Sequence, residues 1–113
     1  MITTHVLDLA RGAPASGINV TLEFLQPDDG EWSAVGLGAT DENGRLKTLT
    51  DGWTMIAGTY RLTFDVAPYQ RAHGAGAPFF PHVQITFDVR DSAQHFHVPL
   101  LLSPFGYSTY RGS

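Results

Sequence analysis

The chain contains no cysteine, so disulfides, thiolate nucleophiles and cysteine-ligated zinc are all excluded. Lysine occurs once. With six arginines against eleven acids the formal charge is −4, the opposite of the basic footprint with which nucleic-acid binders neutralise phosphates. Charged residues make up 16% of the chain, against a usual share of about 25%, which leaves little room for a solvating disordered segment. No stretch approaches the roughly 20 apolar residues that span a bilayer. The opening M-I-T-T-H-V-L-D lacks the basic start and apolar run of a secretory signal. A cytoplasmic protein with no membrane or nucleic-acid partner is the expectation. Also missing are the G-x-S-x-G nucleophile elbow, the P-loop and a dinucleotide fingerprint, since G-L-G-A-T has neither a third glycine nor a following helical pattern. At 113 residues the chain is expected to form one domain over 1–113, large enough to bury about two-thirds of its unfolded surface without covalent staples.

What the chain does have is punctuation. Twelve Gly and seven Pro interrupt it so often that long helices are excluded, and the longest stretch free of both, 82–98, alternates with period two. There Val83, Ile85, Phe87 and Val89 interleave with His82, Gln84, Thr86 and Asp88, the pattern of a strand with one buried face. Val20, Leu22 and Phe24 repeat it, as do Tyr60 to Val66 and Phe96 to Leu102. Shorter candidates are Ile2–Asp8, Trp32–Leu37, Arg45–Thr48 and Tyr107–Arg111. Turn signals separate them: R-G-A-P-A-S-G, Q-P-D-D-G, D-E-N-G, D-G-W and S-P-F-G. Eight short strands predict an all-β sandwich or small barrel, with one short helix expected in the stretch Ala67–Ala77, before its glycines.

Two features go beyond a plain sandwich. The strand around His97 is apolar on both faces, with Leu100 and Leu102 on one and His97 and Leu101 on the other. A strand of that kind is covered on both sides, and in so small a protein the expected cover is another subunit. The last residues, L-L-L-S-P-F-G-Y-S-T-Y-R-G-S, end in a strand pattern rather than a polar tail, which suggests that the end is used.

Without cysteine, the reactive candidates are the five His, the Arg residues, the acids, Ser and Tyr. His5 and His97 fall inside strands, and His95 shares a face with His97. The H-x-H pair reads either as an exposed strand-end His95 beside a satisfied interior His97, or as two ligands of a metal site whose third ligand is missing. Arg45, opening a strand after D-E-N-G, is either a surface hairpin residue or a planar fork for an anion. Arg61 and Arg90 sit at polar alternating positions and are expected to be solvated. Asp28, Asp29, Glu31, Asp41 and Glu42 read as a solvated rim, and no carboxylate pair supports glycosidase-type chemistry. His73 and His82 flank a loop and receive no role.

Taken together, T-T-H-V-L-D at the start, G-R at 44–45, G-T-Y-R-L-T-F-D at 58–65, F-F-P at 79–81, H-F-H-V-P-L-L-L-S-P at 95–104 and the closing Y-R-G-S resemble the 5-hydroxyisourate hydrolases, the transthyretin-like enzymes of urate breakdown. The motifs run through the chain in family order, and the closing tetrapeptide separates these hydrolases from hormone carriers of the same fold. The resemblance implies a transthyretin-like (prealbumin-like) β-sandwich of eight strands in two sheets with one short helix. It implies a homotetramer, a dimer of dimers, with active sites in the channel at the dimer–dimer interface. It also implies hydrolysis of 5-hydroxyisourate to 2-oxo-4-hydroxy-4-carboxy-5-ureidoimidazoline in purine catabolism, with no metal or organic cofactor. The matching motifs carry the catalytic positions onto His5, Arg45, His97 and Ser113, with His5, Arg45 and Tyr110 contacting substrate. Departures are N-G-R for the usual D-G-R, H-F-H for H-Y-H, P-F-G for P-Y-G and F-F-P-H for F-F-P-E. In this reading His97 or His5 activates water, Arg45 stabilises the oxyanion and Ser113 positions or relays a proton. The rival is a transthyretin-like protein that binds small ligands without catalysis.

Overall fold

A computed structural model describes residues 1–74 and 76–113. Ten strand segments and one helix follow in the order β1 (Ile2–Asp8), β2 (Ala13–Pro14), β3 (Asn19–Leu25), β4 (Trp32–Ala39), β5 (Arg45–Leu46), β6 (Gly58–Asp65), α1 (Ala67–Ala72), β7 (His82–Val89), β8 (Phe96–His97), β9 (Leu100–Ser103) and β10 (Gly106–Thr109). The predicted two-sheet β-sandwich with one short helix is present, with more strand segments than the eight expected. One sheet is the antiparallel meander β4-β3-β6-β7; the other is built on β1, which β2, β5, β8 and β9 all join, with β10 at the edge beyond β9.

Alternation does what it predicts. On β3 and β6, Val20, Leu22, Phe24, Tyr60, Leu62 and Phe64 turn inward and are buried, meeting Ile2, Val6, Leu100 and Leu102 of the opposite sheet. Tyr60 buries its ring without stranding its hydroxyl, which donates to the Ile56 carbonyl at 2.7 Å.

The predicted strand from Phe96 to Leu102 is cut in two. Val98 still donates its N–H to the Thr3 carbonyl at 2.9 Å, but Pro99 has no N–H, so the ladder on β1 stops and resumes at Leu100. The helix falls in the expected stretch, ahead of its glycines. Pro68 sits in its first turn, and it closes at His73 just before Gly74, whose φ is 80°; position 75 of that stretch lies outside the described residues. Arg61 also departs from expectation. Opposite Glu23 in the β3–β6 register, it donates to that carboxylate at 2.7 and 3.0 Å and stacks over Trp32 at 4.2 Å, so it is paired and half-buried rather than solvated. Arg90 is exposed as expected.

Candidate active site

The outer face of β1 organises everything that follows. Its inward residues Ile2, Thr4 and Val6 are in the core, so Thr3, His5 and Leu7 project from the opposite side of the sheet. Pairing then adds neighbours to each: Thr3 stands beside His97, His5 beside Arg45 and Leu7 beside Leu101. His5 and His97, 92 positions apart in the chain, are thereby set on one face a few side chains from each other.

The turn before β5 fixes Arg45. The Asp41 carboxylate accepts from the backbone N–H of Asn43 and of Arg45, both at 2.9 Å, and Gly44 donates back to the Asp41 carbonyl at 2.9 Å. These bonds, led by the one from Arg45, hold the exposed Asp41 carboxyl below its usual range. Gly44 adopts φ 76°, where a side chain is strained, and a Cβ there would run into the Val6 carbonyl. Its own carbonyl accepts from Val6 N–H at 2.7 Å. The hairpin is thus pinned to β1, and the Arg45 guanidinium is free: among the described residues it has no carboxylate partner.

His5 is committed on one nitrogen. Its Nε2 lies 2.8 Å from the Asn43 carbonyl, which can only accept, so Nε2 carries a proton. His97 is bound through the other nitrogen, Nδ1, to the Thr3 hydroxyl at 2.8 Å, and its Nε2 has no protein partner among the described residues. Burial first, and then the positive charge of Arg45 and the neighbouring His95 and His5, push the His97 imidazole below its usual value of 6.5. It is therefore neutral at physiological pH.

The chain end closes the site. Gly112 forms a backbone bridge with His97, donating to its carbonyl at 2.7 Å. Arg111 anchors the same segment from outside, stacking over Phe96 at 4.5 Å and donating to Gln94 at 2.9 Å. A cavity of about 490 Å³ results. Arg45, His97, Tyr110 and Ser113 of the sequence-derived set line it; His5 stands beside Arg45 in the register but is not among the lining residues. Sequence reasoning missed Thr3 and Lys47, which also line it. Both were within reach of the period-two rule, since Thr3 is two residues before His5 and Lys47 two after Arg45. His95 lines the cavity as well, exposed and 6.4 Å from His97 between ring centroids. It precedes β8 rather than ending a strand. Among the described residues no three His, Cys, Asp or Glu side chains cluster closely enough to hold a metal ion.

His73 and His82 lie elsewhere. His73 caps α1, its Nδ1 donating to the Tyr69 carbonyl at 2.8 Å and its ring stacked on Tyr69. Beside it a smaller cavity of about 150 Å³ surrounds a structural network in which Arg11 donates to the Tyr69 hydroxyl and that hydroxyl donates to Asp8, both at 2.8 Å. Burial raises the Tyr69 pKa, which keeps it a donor. Among the described residues no helix is long and apolar enough to cross a membrane.

Comparison with known proteins places the chain in a family. A family model described as the HIUase/Transthyretin family matches residues 2–112. A relative in Caenorhabditis elegans named "Probable 5-hydroxyisourate hydrolase" is 46% identical over 112 residues, covering 99% of this chain and 81% of that protein. Among solved structures, transthyretin from Sparus aurata superposes with a TM-score of 0.90 at 30% identity, covering 98% of this chain and 95% of that one. The 5-hydroxyisourate hydrolase of Klebsiella pneumoniae superposes with a TM-score of 0.82 at 35% identity, covering 99% and 97%.

Proposed function

The chain belongs to the HIUase/Transthyretin family, and from that premise we propose that it hydrolyses 5-hydroxyisourate in urate catabolism, with His97, Arg45, His5, Tyr110 and Ser113 as its working residues. The observation that carries this reading is the shared cavity: a neutral, partly buried imidazole and an unpaired guanidinium line one space closed by Tyr110 and Ser113. A carrier of small aromatic ligands needs an apolar channel, and cationic Arg45 and Lys47 in its lining are against that alternative.

Ring opening of a cyclic amide requires a nucleophile, an oxyanion site and a proton for the departing nitrogen. The bare Nε2 of His97 takes a proton from water as the hydroxide attacks the ring carbonyl. Negative charge develops on the carbonyl oxygen, where the Arg45 guanidinium stabilises it with fixed donors. The C–N bond then breaks, and the imidazolium returns its proton to the nitrogen. His97 takes the base role over His5 because its unengaged ring nitrogen belongs to a residue that lines the cavity, whereas His5 is not among the lining residues. His5, which stands beside Arg45 in the strand register, orients substrate. Tyr110 supplies a contact surface, and Ser113 a hydroxyl for positioning or proton relay. No step calls for a metal or an organic cofactor.

The protein works as a homotetramer, a dimer of dimers with its sites at the dimer–dimer interface, in this proposal. Support comes from two surfaces. Leu7 and Leu101 continue the outer face on which the site lies, and Phe79 and Phe105 are 65% and 78% exposed beside Phe80 and Tyr107, a cluster that water covers badly. The test adds protein to freshly generated 5-hydroxyisourate and follows the ultraviolet decay, with and without exhaustive chelation, alongside size-exclusion chromatography. Accelerated decay unaffected by chelator, from a particle four times the chain mass, is the expected result. No acceleration over buffer refutes the hydrolase reading, and a monomeric particle refutes the assembly.

A further inference from the structure

The Thr3 hydroxyl occupies a position that the proposed chemistry has not yet used. Its Oγ1 lies 2.8 Å from Nδ1 of His97 and 2.8 Å from Nε2 of His95, and Thr3 is 4% exposed. A hydroxyl has one proton to give. Two arrangements spend it. In the first, His97 donates from Nδ1–H to Thr3, and Thr3 donates to a bare Nε2 of His95. In the second the direction reverses: His95 donates from Nε2–H, Thr3 donates to Nδ1 of His97, and the His97 proton must sit on Nε2. A third possibility, Thr3 accepting from both rings, leaves a buried donor unspent and is costly.

The surroundings choose between the first two. Nε2 of His97 is the ring nitrogen left for the cavity, where Arg45 and Lys47 contribute positive charge; a lone pair is favoured there and an N–H is not. His95 is exposed, so water can solvate the N–H that this arrangement puts on its Nδ1. Building on the assignment of His97 as the base, we infer that Thr3 is a positioning residue that holds His97 in the Nδ1–H tautomer by passing its own hydroxyl proton on to His95. His95 thereby gains a role as the acceptor that completes the chain, rather than as a metal ligand. Only this tautomer presents a basic nitrogen to water; the other presents a donor, and the reaction cannot begin.

The experiment uses Thr3→Val, which keeps the shape and removes the hydroxyl, and Thr3→Ser, which keeps the hydroxyl. Ring-nitrogen NMR on protein labelled with ¹⁵N-histidine reads the His97 tautomer while kcat and KM for 5-hydroxyisourate are measured in parallel. In the unaltered protein Nε2 of His97 is expected to resonate as a bare nitrogen. Thr3→Val is expected to populate the Nε2–H form and lower kcat at least about 10-fold with KM little changed, and Thr3→Ser to restore both. A packing role alone would not move the tautomer. Finding Nε2–H on His97 in the unaltered protein overturns the inference without any variant, as does a Thr3→Val protein that keeps the Nδ1–H form. A tautomer swap with kcat unchanged supports the Thr3 assignment and overturns instead the reading of His97 as the base.

Discussion

Gly112→Ala adds one methyl group at the seam between the chain end and His97, and the geometry sets the size of its effect. A Cβ built on Gly112 stands 2.7 Å from Cδ2 of the His97 ring, with Cγ and Cβ of His97 at 3.4 and 3.5 Å. Ordinary carbon–carbon contact begins near ~3.5 Å, so the nearest pair must separate by the better part of ~1 Å. The glycine is outside the left-handed region, so alanine adds no backbone strain and the contact alone is tested. Relief has two routes. The ring can turn away, which pulls Nδ1 off Thr3. Alternatively the tail can lift, which lengthens the 2.7 Å bridge to the His97 carbonyl and carries Tyr110 and Ser113 with it. Either route misplaces a reacting or binding group by about 1 Å, a displacement worth about 100-fold in rate, or ~2.7 kcal/mol in activation free energy.

Stability is a separate readout for the same variant. The seam lies outside the core, and a weakened backbone bond of about 1 kcal/mol is largely offset by the entropy alanine removes from the unfolded chain, about 0.4–1 kcal/mol. Melting temperature should therefore hold within a few degrees while kcat/KM, followed by ultraviolet decay of 5-hydroxyisourate, falls about 100-fold. A Gly112→Ala enzyme within threefold of the parent would refute the claim that the chain end is held against His97 for catalysis.

Further outcomes follow from the same contacts. His97→Ala and Arg45→Ala should each lower kcat/KM by about 100-fold or more, whereas His73→Ala, which loses only contacts to Tyr69, should stay near the parent; equal losses in all three would refute the site. In an NMR titration His97 should protonate below the usual 6.5, so the acid limb of kcat/KM lies below that value. Arg45→Met removes a positive neighbour that opposes protonation, and the His97 midpoint should rise; a fall would reverse the assigned electrostatics. Arg61→Ala should lower stability by about 1 kcal/mol in urea unfolding, since the Glu23 pair is still 23% exposed on each side and screened, with activity unchanged. Removal of Tyr110–Ser113 should sharply reduce hydrolysis with only a modest loss of thermal stability, because no core strand is cut; a truncated protein of full activity would contradict the closed site.

Period-two alternation is a local property, and the sequence by itself therefore determined which residues of β3, β6 and β7 face the core, and that Thr3, His5 and Leu7 share a face. Turn chemistry is local as well: D-E-N-G marked the hairpin that fixes Arg45. The closing Y-R-G-S and the histidine motifs carried the family, and with it the candidate site. What tertiary structure decided are the pairings between distant segments. Parallel pairing of β1 with β8 sets Thr3 against His97 across 94 positions, and no local pattern records which hydroxyl will meet which imidazole. Register across β3 and β6 turned Arg61 from a solvated cation into the partner of Glu23. The missing N–H of Pro99 split a strand that alternation alone runs straight through. Even the division of labour between the two strand histidines waited on the fold. Each has two nitrogens, and only the Asn43 carbonyl beside one and the Thr3 hydroxyl beside the other decide which nitrogen is left to act.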